Sequence, residues 1–292
     1  MKVLLLGANG QIGREIQELA KNKVKLYAYT RQELDITQLS CIESSFAAIR
    51  PHYIINTAAY TSVAKAEVEE KAAYLVNAVG VRYLAEAAKR FNIPLLHIST
   101  DYVFDGRKKT PYVEEDLPNP LSVYGRSKWA GENFIRDIWY KHIILRVSWV
   151  FGCHGNNFVK NILHLATVKS ELNIVCDQVG SPSYAGDIAN TLLNIIDAIQ
   201  QGFTNWGTYH FTGTPATNWY QFARLIIKHA STSQNLLTSD IRPIYSNEYP
   251  TSVFRPSNSQ LECSKINRVF NITQKNWLFG LTKVIKWYGL FS

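Results

Sequence analysis

Apolar and polar positions follow a regular rhythm through the first half of the chain. Short, nearly continuous apolar runs at residues 3–6, 25–29, 53–57, 95–99 and 142–149 have the length of strands. Longer amphipathic stretches at 11–22, 39–49, 71–92 and 128–140 separate them and have the spacing of helices. In the stretch 71–92, Tyr74, Val76, Leu84 and Ala88 fall on one stripe. Strand and helix in strict alternation predict βαβ units, and hence an α/β fold of the Rossmann type: a doubly wound parallel sheet with helices on both faces. Beyond Trp149 the rhythm loosens. Helices are expected at 158–169, 186–199 and 218–229, with a further strand at 208–213. Residues 239–258 are rich in Pro, Ser, Asn and Tyr and read as loops with short strands. The expected organisation is a first domain over residues 1–150 and a smaller C-terminal α/β lobe over 151–292, with segments near 186–213 returning to the first domain.

The glycines of Gly7-Ala8-Asn9-Gly10-Gln11-Ile12-Gly13 lie between the first strand and the first helix. Glycines there permit a tight turn, close approach of a pyrophosphate and helix–strand packing, while the helix N-terminus faces the phosphates. This predicts that residues 1–150 bind NAD(P). An acid ~20 positions on would accept a ribose 2′-hydroxyl and select NAD. This chain has Thr30-Arg31 there, a hydroxyl and a guanidinium better suited to a 2′-phosphate, so NADP(H) is favoured and NAD(H) is the second choice. Asp35 lies further along, toward the adenine or its ribose.

Tyr124 and Lys128 stand one helical turn apart in Tyr124-Gly125-Arg126-Ser127-Lys128. A phenol ordinarily titrates near pH ~10. A lysine at i+4 shares its helix face, and its charge would favour the phenolate, making the pair a proton-transfer device. Ser99-Thr100-Asp101 follow the strand 95–98, at the end of a parallel sheet where ligands bind, and Thr100 is placed to bond both the Tyr124 hydroxyl and a substrate carbonyl.

Composition narrows the reading. With 46% hydrophobic and 18% charged residues the chain is globular in character. No apolar run reaches the ~20 residues that span a bilayer. The apolar start is too short for a secretion signal and runs straight into the glycine loop. Cys41, Cys153, Cys176 and Cys263 are scattered, without the close pairs of a zinc site, so no metal is expected and a reducing cytoplasm suits them. The net charge of +8 is spread along the chain, the longest basic runs being Arg107-Lys108-Lys109 and Lys21-Asn22-Lys23. Neither nucleic acid nor a membrane is an expected partner. An anionic small molecule such as a sugar nucleotide is.

The glycine loop, Asn56-Thr57-Ala58-Ala59-Tyr60-Thr61, Ser99-Thr100-Asp101-Tyr102-Val103-Phe104 and the Tyr124–Lys128 run together resemble the extended short-chain dehydrogenases/reductases. Arg146-Val147-Ser148-Trp149-Val150-Phe151-Gly152, Gly155-Asn156-Asn157-Phe158 and Arg255-Pro256-Ser257-Asn258-Ser259 narrow the resemblance to the dTDP-4-dehydrorhamnose reductase family, from Met1 to about Phe270. The resemblance implies reduction of a dTDP-linked 4-keto-6-deoxy sugar. In it, Tyr124 gives the proton to the C4 oxygen, Lys128 lowers its pKa and holds the nicotinamide ribose, and Thr100 assists. Gly7, Gly10, Gln11, Ile12 and Gly13 would lie along the pyrophosphate. Thr30, Arg31, Asp35 and Ile36 would meet the adenosine end, and Ala59, Tyr60, Thr61 and Ile98 the nicotinamide side. Thr100, Asp101, Trp149 and Arg255 would contact the substrate, Arg255 at its diphosphate.

Two positions depart from the family pattern. Ala64 follows Val63 where an aspartate is usual, and Gly186 replaces one of the acids through which some members form a metal-bridged dimer, although Glu15 is kept. A homodimer stays open; a metal-bridged one is not expected. Two other readings stay open as well. One is a related reductase giving a streptose-type sugar. The other is a non-catalytic subunit like the regulatory subunit of methionine adenosyltransferase, which shares the fold and an Arg-Pro-x-Asn-x-Gln-Leu segment like Arg255 to Leu261. Thr100, Ser148-Trp149 and Asn156-Asn157-Phe158 fit a reductase better.

Overall fold

A computed structural model of the chain describes residues 1–250 and 253–290. Six parallel strands form the central sheet: β1 (Lys2–Leu6), β2 (Lys25–Tyr29), β3 (Tyr53–Asn56), β4 (Leu95–Thr100), β5 (His142–Val147) and, much later in the chain, β10 (Gly207–His210). Outside it, β6 (Val150–Phe151) pairs with β9 (Ser183–Tyr184), β8 (Val179–Gly180) with β11 (Thr217–Asn218), and β7 (Glu171–Val175) with β12 (Asp240–Ile244). The sheet order is β10-β5-β4-β3-β1-β2, so successive strands leave β1 in opposite directions. The crevice between the ends of β1 and β3 is thus the topological switch point, where open α/β sheets bind their ligands.

Both faces of the sheet are covered, which is why its strands read as unbroken apolar runs. Val3 and Leu5 face one core, packed beneath α1 (Gln11–Ala20), α8 (Ala185–Gln200) and α10 (Ser264–Phe270). Leu4 and Leu6 face the other, beneath α2 (Leu39–Ile49), α5 (Gly80–Phe91) and α6 (Val123–Ile138). A third core, built from Phe151, Ile162, Phe222, Trp277 and Leu281, joins α7 (Phe158–Val168), α9 (Trp219–Ala230) and α11 (Trp277–Gly289) to β7. α8 and β10 return to the central sheet, and so does α10.

Three local departures from the sequence expectations have physical causes. The stretch expected as one helix over 71–92 runs through α4 (Glu70–Tyr74), after the short α3 (Val63–Ala66), then a π-helical turn Leu75–Val79, then α5. The extra residue of a π turn re-aims the side chains that follow. Asn77 becomes fully buried, accepting from Tyr60 N (2.8 Å) and donating to Ser127 Oγ (3.0 Å), while Leu75 turns outward. α6 begins at Val123, not at residue 128, because Ser122 accepts from Gly125 N (3.1 Å) as its cap. The expected strand 142–149 stops at Val147, since Trp149 takes a left-handed backbone (φ 46°).

Candidate active site

A cleft of about 730 Å³ opens along the C-terminal ends of the strands. It gathers Gly7, Gly10, Gln11, Ile12, Thr30, Arg31, Asp35, Ile36, Ala59, Tyr60, Thr61, Ile98, Thr100, Asp101, Tyr124, Lys128 and Trp149. Of the residues expected at the site, Gly13 and Arg255 lie outside it. Gly13 sits under the loop: a Cβ there would stand 2.3 Å from Gly7 O, so only glycine lets α1 approach. Arg255 borders an adjoining cavity of about 1050 Å³ that shares Tyr102, Trp149 and Asn156 with the first. The two cavities therefore meet at Trp149.

At one end of the cleft, the loop turns through Gly7 (φ 82°) and delivers the N-terminus of α1. Gly10 caps that helix without a side-chain bond, and its first turn carries no acid. The amide donors there are free of local competition, and with the helix dipole they suit an anionic phosphate group. Beyond them Arg31 Nε pairs with Asp35 Oδ2 (3.3 Å) while its side chain is 75% exposed. Thr30 is bound to Glu33 through both its amide and its hydroxyl (2.8 Å each). Asp35 is held by Thr37 as well, and these bonds keep its carboxyl below the ordinary range despite partial burial. The guanidinium thus stands at the rim with a carboxylate as its nearest partner.

At the other end α6 presents Tyr124 and Lys128. Two groups fix its start: the Ser122 cap, and Glu67, whose Oε1 accepts from Val123 N (2.9 Å). Gly125 lets the helix press against the turn after β4, because a Cβ there would lie 2.2 Å from Tyr102 O. The Tyr124 ring meets Tyr102 edge to face at 5.7 Å. Burial pushes its phenol well above the ordinary range, and a hydrogen bond with Thr100 draws it partly back. Lys128 is 2% exposed, and its Nζ donates to Ile98 O (2.7 Å) and lies 3.1 Å from His97 Nε2. Burial pulls the amine down to about 8, against the opposing charge of Glu132. Burial is thus the leading effect on the Tyr124 phenol and favours its protonated form, with Lys128 one turn along the same helix.

Thr100 donates to Asp101 Oδ1 (2.9 Å) and accepts from Tyr102 N (3.2 Å). Asp101 is buried, and desolvation pushes it up to about 7 against the hydrogen bonds it receives. Trp149 is held by stacking on Trp219 (3.4 Å between centroids) and by its Nε1 bond to Ser259 Oγ (3.1 Å). Sequence reasoning did not single out Glu67, Ser122, Asn77 or Trp219. Serine before Val123-Tyr124 is a legible cap signal; the other three come together only through the fold.

Ala64, the missing carboxylate, is exposed on α3, while Glu67 three residues on supplies the acid that meets α6. Glu15 accepts from Tyr184 OH (3.1 Å), and Gly186 packs on the same ring. Among the described residues no group of three or more His, Cys, Asp or Glu is placed to hold a metal ion. Nor is any of their helices long and apolar enough to cross a membrane.

A doubly wound parallel sheet, a glycine loop at its switch point and a Tyr–Lys pair on the helix beside β4 define the extended short-chain dehydrogenase/reductase class. Within that class, residues 1–289 match the family model described as the RmlD substrate binding domain, and the chain belongs to this family. It is 45% identical over 288 residues to a dTDP-4-dehydrorhamnose reductase of Aggregatibacter actinomycetemcomitans, covering 97% of this chain and 98% of that one. Among solved structures, a dTDP-4-dehydrorhamnose reductase from Clostridium acetobutylicum superposes with a TM-score of 0.91 at 38% identity, covering 98% of this chain and 99% of that chain. The enzyme of the same name from Bacillus anthracis, solved in complex with NADP, gives 0.89 at 34% identity over 100% of this chain and 99% of that chain.

Proposed function

We propose that this protein reduces the C4 ketone of dTDP-4-dehydro-L-rhamnose to dTDP-L-rhamnose in the cytoplasm, with NADPH favoured over NADH. The observation that carries the reading is the convergence of Tyr124, Lys128 and Thr100 on one cleft with the Gly7–Ile12 loop. The reductases similar to this chain support the substrate, and the NADP complex of one of them supports the cofactor. When bound, the dihydronicotinamide supplies a hydride to C4.

The residues of the chain do the rest. The uncapped N-terminus of α1 holds the pyrophosphate, with Gly10, Gln11 and Ile12 along it, and Arg31 leaves Asp35 for a 2′-phosphate. Tyr124, protonated at neutral pH, gives its O–H proton to the C4 oxygen as the C4–O bond becomes a single bond. The Thr100 hydroxyl then turns from Asp101 Oδ1 to donate to the phenolate left behind, and Lys128, charged one turn along α6, is the cation behind it, before the phenolate takes a proton from solvent. Asp101 in the first cavity and Trp149, where the two meet, bound the sugar, and Arg255 holds the diphosphate in the second. The test is a panel of 4-keto sugar nucleotides with NADPH and NADH. Fastest turnover of the dTDP-linked 6-deoxy-4-keto sugar with NADPH is expected; no turnover of any member would remove the proposal.

A further inference from the structure

Behind Lys128 lies a buried polar chain that the reaction as described does not use. Asn56 ends β3 and His97 lies within β4, and both are fully buried. Asn56 Oδ1 accepts from Ala58 N (3.0 Å), which turns its amide nitrogen toward His97 Nδ1, 3.0 Å away. An amide NH₂ can only donate, so Nδ1 is the acceptor. Complete burial holds His97 well below its ordinary pKa, so the ring is neutral and has one proton. That proton must sit on Nε2, which faces Lys128 Nζ at 3.1 Å. An N–H aimed at Nζ needs a lone pair there, which an amine has and an ammonium lacks.

We propose that His97, its tautomer set by Asn56, is a positioning residue for Lys128: it holds Nζ against β4 and favours the amine over the ammonium. The proposal deepens the reductase reading, and rests on it in taking Lys128 as the charge behind Tyr124. To gain a proton, Lys128 must displace the His97 N–H. His97 then carries its proton on Nδ1, facing the Asn56 NH₂, unless Asn56 turns and gives up Ala58 N. Burial of Lys128 works in the same direction as His97. Glu132, one turn along α6, works against both, and is itself held by Arg146 (2.7 Å) and Arg136 (2.7 Å). Tyr124 on α6 and Asn56 on β3 face the site uncharged. The lysine charge is thus lost as pH rises through about 8, and with it the support for Tyr124.

Two readouts test this. In a long-range ¹H–¹⁵N spectrum of histidine-labelled protein at pH 9, the His97 signal, identified by its absence in His97→Gln, should show the Nε2–H tautomer. An Nδ1–H tautomer, or a His97 cation at pH 7, would overturn the proposal without any assay of turnover. Asn56→Asp places a carboxylate that still accepts from Ala58 N and also accepts from His97 Nδ1–H, so Nε2 becomes an acceptor for the ammonium. Its alkaline limb of kcat/KM should move up by about one pH unit or more, with NADPH affinity kept. An unmoved limb in a variant that folds and binds NADPH also overturns it. Should Asn56→Asp not fold, the wild-type spectrum still decides. Failure of the reductase reading looks different: wild-type protein then turns over no keto sugar nucleotide, while the tautomer stands.

Discussion

At the scale of single residues, the site works by burying groups that in water would behave differently. Tyr124 is the clearest case. Removing its hydroxyl leaves the ring against Tyr102 but takes away the acid, and loss of a general acid costs ~10²–10⁴-fold in rate. Tyr124→Phe should lower kcat by that much with NADPH affinity intact; more than half the wild-type kcat in steady-state kinetics would remove Tyr124 from the role. Arg31 tests the cofactor end. Its present partner is Asp35, and a charge-assisted bond to a 2′-phosphate is worth about 1.5–3 kcal/mol. Arg31→Ala should therefore weaken NADPH roughly tenfold or more in fluorescence titration and leave NADH nearly unchanged; equal losses would show that Arg31 does not read the phosphate. Most of these residues were legible in the sequence because they fall in short runs at strand ends. His97, Asn56 and Glu67 were not, since each acquires its partner only when β3, β4 and α6 are brought side by side.

At the scale of elements, α6 carries the design. Ser122 is a legible cap for its start, but a glycine, ordinarily a poor helix residue, two positions in from the end masks it in the periodicity. That glycine is needed because of what lies outside the helix, the carbonyl of Tyr102, which sequence periodicity does not report. Gly125→Ala should cost about 1–3 kcal/mol by overpacking and lower kcat by moving Tyr124. An unchanged urea midpoint would show that the contact has room to relax. The π turn Leu75–Val79 was hidden for a related reason: it keeps a helical sequence while re-aiming Asn77 onto Tyr60 and Ser127. The strands β1, β3, β4 and β5 were legible because burial on both faces leaves little polar alternation to interpret. Helices α10 and α11, among aromatic and basic residues late in the chain, were not assigned from the sequence at all.

At the scale of the whole molecule, the cleft imposes a pH-dependent cost on folding. Asp101 has its pKa raised from 3.8 to about 7 by burial. Between those values the folded protein keeps a proton that the unfolded chain has released, so this group lowers stability as pH rises from about 4 to 7. Asp101→Asn, which keeps the shape and removes the titration, should flatten that part of the stability curve and gain relative to wild type at pH 8. Urea unfolding at pH 5 and pH 8 measures it, and an unchanged slope would mean that Asp101 stays ionised in the fold. Two cavities meet at Trp149, one fed by the glycine loop and one bordered by Arg255, and the proposed function assigns the cofactor to the first and the sugar nucleotide to the second. The most direct measurement of that claim follows a label. With dTDP-4-dehydro-L-rhamnose and NADPH deuterated at the transferred position of the nicotinamide, wild-type protein should yield dTDP-L-rhamnose with deuterium at C4, seen by NMR. Cofactor binding without any label reaching C4 would contradict the account.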